Sequence, residues 1–164
     1  MAVPATTTRA DPGATNGFDI RMDDGHSTKI AFDRDPDVSF WEKTVQPPGV
    51  EGGDPIDTTT MHNTTYRTMA SQRLITTTAI TITAAYDPEV KDQIIANLVN
   101  QEGSITIHYP DGSTEDFFGY LQTFEPQPHV QGEPPEATIT VVPTNNDPAD
   151  GTEQGPVLTG ISGT

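Results

Sequence analysis

The chain has 164 residues, with 24 acidic against 8 basic side chains and a formal net charge of −16. That length suits one domain around one core, and that charge is wrong for a protein that grips nucleic acid or an anionic membrane surface. With no cysteine in the chain, disulfides and thiolate metal sites are excluded.

Residues 1–17 are small, polar and Pro/Gly-containing, which reads as a flexible arm rather than a signal peptide. Phe18 to Met22 alternates apolar and polar, as a short strand does, and Asp23-Asp24-Gly25-His26 is a turn signal. Alternation returns over Thr28 to Phe32 and again over Val38 to Val45, where Val38 and Phe40 share a face and Trp41 takes the other. Gln46 to Ser71 has no helix or strand period. Structureless loops of that size are usually functional or disordered, and an ordered loop docking on a neighbouring subunit is the preferred reading.

Leu74 to Ala85 is read as one long Thr/Ile strand with Ile80, Ile82 and Ala84 on one face. A helix follows. Asp87 can cap it, Pro88 suits its first position, and Glu89 faces the positive helix end. Val90, Ile94, Ile95, Leu98 and Val99 form its apolar stripe, and Gly103 is the expected stop. Ser104–Tyr109 and Glu115–Phe124 read as a hairpin around Pro110-Asp111-Gly112-Ser113, and Glu136–Pro143 as a last strand. After Thr144 the composition is that of a polar tail.

The fold class is therefore mainly β: an antiparallel sandwich or barrel of about seven strands with one α-helix. The expected division is an arm over 1–17, a β domain over 18–144 and a tail over 145–164. Hydrophobic content is 32%, below the ~45–50% of ordinary globular domains. Abundant threonine beside so little apolar surface suggests a small core completed by assembly. All eight basic residues lie at or before Lys91, and eleven acids with no Lys or Arg follow it. No stretch is long and apolar enough to cross a membrane as a helix.

Motifs for chemistry are few. His26, His62, His108 and His129 make no paired metal-binding spacing. Asp33-x-Asp35-x-Asp37 has the opening spacing of a calcium loop, but Val38 and Thr44 stand where that loop needs Gly and Glu. Glu115 and Asp116 are strand neighbours and point to opposite faces, a poor arrangement for paired-carboxylate catalysis. No nucleophile elbow, P-loop or dinucleotide fingerprint occurs. The reading is a non-enzyme without cofactor or metal.

An ordered set of segments resembles the tail tube (major tail) proteins of long-tailed bacteriophages. Val45 to Gly53 resembles the turn that opens that family's long loop. Ile56-Asp57-Thr58-Thr59-Thr60-Met61 resembles its Ile-Asp-Thr patch, and Tyr86-Asp87-Pro88 precedes a helix in the family's position. Ile105-Thr106-Ile107 through Asp111-Gly112, Phe118 to Leu121 and Ala137 to Val141 resemble its closing strands.

The resemblance implies hexameric rings stacked into a hollow tube that delivers DNA, in a virion made in the host cytoplasm. It implies tail-tip, tape-measure and tail-terminator proteins as partners, with DNA as passing cargo. Pro47, Pro48, Gly49, Ile56, Asp57, Thr58 and Met61 would then belong to a loop between rings. Glu115, Asp116 and Glu125 are the candidate lumen-facing acids, since carboxylates do not hold phosphates. The rival readings are the tube of a contractile tail or injection particle, a carbohydrate-binding module using Phe117, Phe118 and Tyr120, and a small hydrolase.

Overall fold

The computed structural model describes residues 28–38 and 40–160. The expected arm, the strand Phe18–Met22 and the turn at His26 lie outside the described residues. The strands are β1 (Lys29–Phe32), β2 (Glu42–Val45), β3 (Val50–Gly52), β4 (Ile56–Asp57), β5 (Met69–Ala70), β6 (Ile75–Thr77), β7 (Ile80–Ala85), β8 (Gly103–His108), β9 (Thr114–Pro126), β10 (Glu136–Pro143) and β11 (Val157–Thr159). Among the described residues a single α-helix, α1 (Lys91–Asn97), follows a 3-10 turn at Pro88–Val90.

Seven strands form one sheet in the order β1-β8-β9-β10-β7-β2, with β11 also on β9. The mainly-β fold is as expected, with one α-helix among the described residues. β9 is the spine. Its first half pairs with β8 and β11, and its second half pairs with β10. Between Thr140 and Val141 the register slips by one residue and Gln122 is left unmatched, a bulge that bends the spine.

Alternation sorts the two faces. Ile30, Phe32, Ile80, Ile82, Ile105, Ile107, Phe117, Leu121, Ile139 and Val141 are buried on one face. Ile94 and Leu98 of α1 pack into the same cluster, closed from the side by Val38 and Phe40. Burying each such side chain contributes about 1.5–3 kcal/mol. Phe32 and Phe40 meet edge-on with ring centres 5.8 Å apart. The opposite face carries Thr81, Thr83, Thr106, Thr123, Thr138 and Thr140, away from α1.

Four expectations need correction. β2 begins at Glu42 rather than Val38, although Val38 and Phe40 are buried and Trp41 is exposed as their phase predicts. The Leu74–Ala85 strand is broken at Thr78-Ala79. Opposite the break lie Pro47 and Pro48, which have no N–H to continue a ladder. The helix stops well before Gly103, because β9 captures the chain: the N–H of Asn100 donates to the Leu121 carbonyl at 3.0 Å. Asn100 makes the exit turn at φ 55°, a conformation asparagine tolerates better than most residues, and Gly103 opens β8. Ile95, assigned to the core stripe, is exposed.

Beyond Thr144 the chain turns through Asp147 to Thr152, where the N–H of Asp147 donates to the Thr152 carbonyl at 2.8 Å. It then returns to the sheet as β11. The segment that composition reads as a tail thus contributes a strand.

Candidate assembly surfaces

Two surfaces stand out, the first being the long loop. The expectation of no strand within it is corrected: β3 pairs with β6 and β4 with β5, so the chain goes out and returns as a two-stranded hairpin arm with two successive ladders. Its base is closed by the Thr78 N–H donating to the Gly49 carbonyl at 2.9 Å, and by Gly49 N–H to Thr78 Oγ1 at 3.0 Å. Thr77 Oγ1 ties it to Asn145 Oδ1 at 2.8 Å.

Toward the tip, Thr58 N–H donates to the Thr68 carbonyl at 2.9 Å. The Asp57 carboxylate accepts from Thr59 N–H at 2.8 Å, and bonding to Thr59 holds the Asp57 carboxyl below its usual range. Asn63 closes the end, taking Thr60 N–H at 2.8 Å and giving its amide to the Tyr66 carbonyl at 3.0 Å. The arm is therefore wired internally.

It is also apolar and uncovered. Val50, Ile56, Met61, Tyr66, Met69, Leu74 and Ile75 are all exposed, Met61 completely. Seven such side chains on one protrusion are far more than scattered surface residues, and contiguous exposed apolar surface marks an interaction site. The sequence picked out Ile56 and Met61, with Asp57 and Thr58. It missed Tyr66, Met69 and Ile75 on the returning side. Pro47, Pro48 and Gly49 are at the arm's root rather than on its exposed shaft.

The second surface is the open sheet face. Asp116 and Glu125 both lie on it, Asp116 taking a hydrogen bond from Thr106 Oγ1 at 2.5 Å. Glu115 does not. It shares the face of Phe117 and accepts the Tyr109 hydroxyl at 2.5 Å. Burial first, then this bond and the nearby carboxylates of Glu115 and Asp111, push the Tyr109 phenol well above its usual value. Of the aromatics named for a carbohydrate-binding module, Phe118 and Tyr120 are half-buried on the open face, while Phe117 is in the core.

Among the described residues no group of three His, Asp or Glu side chains is placed to hold a metal. Asp35, from the calcium-like spacing, is instead spent on the helix: Asn97 Nδ2 and Gln93 Nε2 donate to its Oδ2 at 2.6 and 3.1 Å. No described helix is long and apolar enough to cross a membrane.

No family model and no curated protein matches this sequence. Solved structures do. A chain from the tail of an empty gene transfer agent particle, with C6 symmetry, superposes at TM-score 0.55 and 10% identity, over 84% of this chain and 97% of that one. A chain from the virion of the native particle gives 0.54 and 10%, over 84% and 98%. One from the six-fold symmetrised baseplate of the anti-feeding prophage gives 0.50 and 8%, over 82% and 92%. The fold is tail-tube-like. At least 92% of each neighbour's length is matched.

Proposed function

We propose that this chain is the structural subunit of a hollow tail tube, polymerising as stacked hexameric rings through which DNA is delivered. The observation that carries the reading is the pairing of a closed, well-packed body with an internally ordered arm whose apolar side chains are exposed. An arm of this kind is complete only when a neighbour covers it. Likeness in fold to chains of six-fold tail particles supports the ring symmetry.

In this reading the sheets of six subunits join side by side into an inner barrel. The helix-covered face turns outward and the threonine-rich face with Asp116 and Glu125 turns to the lumen. The arm contacts the next ring. Tail-tip, tape-measure and terminator proteins set where the tube starts, how long it grows and where it stops, and the virion is where the protein acts.

The test is negative-stain microscopy across a concentration series of the whole chain and of a chain lacking the arm. The hydrogen bond between Gly49 and Thr78 shows where to cut: Val50–Thr77 can be replaced by a two-residue turn without touching the core. The whole chain should form uniform hollow tubes, and the armless chain only monomers or single rings. Tubes from the armless chain would remove the arm from the mechanism. Likeness to a chain of the anti-feeding prophage baseplate favours a second reading, the tube of a contractile or injection particle. Co-assembly with a sheath protein would decide for it.

A further inference from the structure

The arm meets the sheet at a joint. The sheet's ladder reaches Gln46, whose N–H donates to the Thr81 carbonyl at 3.1 Å. The arm's own ladder starts at the bonds between Gly49 and Thr78. Between the two stand Pro47 and Pro48, which have no N–H to carry one ladder into the other. The root bonds therefore hold the two sides of the arm to each other, not to the body.

A second excursion rises beside this joint. β10 pairs Val141 with Ile80, so it finishes at the end of the sheet where the arm is rooted. Pro143 lies opposite Gly119, and Thr144 N–H donates to the Phe118 carbonyl at 2.9 Å. β11 takes up the same line in the same direction, with Val157 opposite Asp116 and Thr159 opposite Thr114. β10 and β11 thus occupy one strand position along β9, interrupted by residues 145–156. The interruption is closed on itself. Gln154 N–H donates to the Asn145 carbonyl at 2.9 Å, and Gly151 N–H to the Asp147 carbonyl at 2.8 Å. Its feet stand on neighbouring parts of β9, so it is fixed to the body at both ends.

We propose that residues 145–156 are a brace that sets the direction of the arm, with Thr77 and Asn145 as its positioning residues. Thr77 Oγ1 donates to Asn145 Oδ1 at 2.8 Å. Among the described residues this is the hydrogen bond that ties Val50–Thr77 to a residue beyond the arm and its root. Both residues are half-buried, and Asn145 is held at φ 54° with its carbonyl already taken by Gln154. The platform is rigid and the joint it spans is not laddered. The proposal rests on the tube reading and deepens it by naming what points the arm at the next ring. An arm already held in its docking direction loses less freedom on binding.

The experiment uses the full-length chain with spin labels at Met61→Cys on the arm and Thr123→Cys in the sheet, the chain having no other cysteine. Thr77→Val keeps the branched shape and removes the donor. Asn145→Gly tolerates the left-handed backbone and removes the acceptor. Thr77→Ser and Asn145→Asp keep the bond. In dilute, unassembled chain the distance between labels should be narrowly distributed in the wild type and in the Ser and Asp variants, and broad in the Val and Gly variants. The lowest concentration that yields tubes should rise about fivefold in the Val and Gly variants, as expected for one neutral hydrogen bond. An unchanged distribution in those two variants would overturn the brace, and so would equal broadening in the Ser and Asp variants. A broadened arm that still assembles at the wild-type concentration would overturn its part in docking. A wild type that forms no tubes, even with its tail-tip partners, removes the tube reading and leaves the label distances to decide the brace alone.

Discussion

The backbone N–H of Ile30 donates to Oε1 of Glu42 at 2.9 Å. Ile30 is on β1 and Glu42 on β2, the two ends of the strand order. The sheet has curled until its end strands meet, and where no ladder forms a carboxylate stands in for the missing carbonyl. An unpaired strand edge invites adventitious pairing, and this clasp occupies one donor of that edge.

Glu42→Ala should therefore destabilise the folded monomer by about 1–2 kcal/mol, the usual cost of stranding a part-buried donor. Glu42→Gln keeps an acceptor and should lose less. Urea unfolding measures both. Equal losses would mean that the charge and not the hydrogen bond matters.

Asp35 joins the β1–β2 connection to α1 through Asn97 and Gln93. Those two bonds, Asn97 first, hold its carboxyl below the ordinary value, against the smaller opposing effect of burial. Because the folded pKa lies below the unfolded one, the contribution is complete above the unfolded value. It is lost as pH falls through the folded value. Thermal melts should show wild type losing stability on acidification below pH ~4, with Asp35→Asn losing less over the same window. Asp57 and Asp150 are held low as well and titrate there in both chains, so the difference between the curves is the readout. Parallel curves would show that Asp35 is not the linked group.

How far these features were legible depends on whether a local pattern or a distant contact decides them. β10 is found residue for residue at Glu136–Pro143, because every second side chain is buried. The start of the helix is legible in Asp87-Pro88, since Asp87 Oδ1 takes the Glu89 N–H at 2.9 Å. Its end is not, because capture of Asn100 by Leu121 is a contact across the sheet. The arm is illegible for a related reason. Ile56-Asp57 pairs with Met69-Ala70, and two-residue strands have no period to detect. That Glu115 and Asp116 take opposite faces follows from alternation, but which face stays open depends on where α1 packs.

Gly119 on β9 has no room for a side chain. A methyl group there would stand 2.6 Å from the carbonyl oxygen of Val142, a backbone atom on the paired strand β10. Gly119→Ala should cost about 1–3 kcal/mol by overpacking and loosen the β9–β10 ladder. Gly52→Ala, where nothing lies within 4 Å, should be neutral or stabilise by up to about 1 kcal/mol through the unfolded chain. Comparable unfolding midpoints for the two variants would contradict this account.

The acids on the open face make a prediction that separates transit from stability. Asp116 and Glu125 share that face, while Glu115 lies behind it against Tyr109. If the open face lines the lumen, Asp116→Lys with Glu125→Lys puts cations along the path of the DNA. Each new phosphate contact steepens the salt dependence of binding. Particles built from this variant should form tubes of normal width yet release DNA several-fold more slowly at low salt, with the rate recovering as salt rises. Glu115→Lys should behave in the opposite way, lowering subunit stability by breaking the Tyr109 bond and leaving release unchanged. Release followed by a DNA-binding dye distinguishes the two. Unchanged kinetics in the doubly substituted particle would place this acidic face away from the passing DNA.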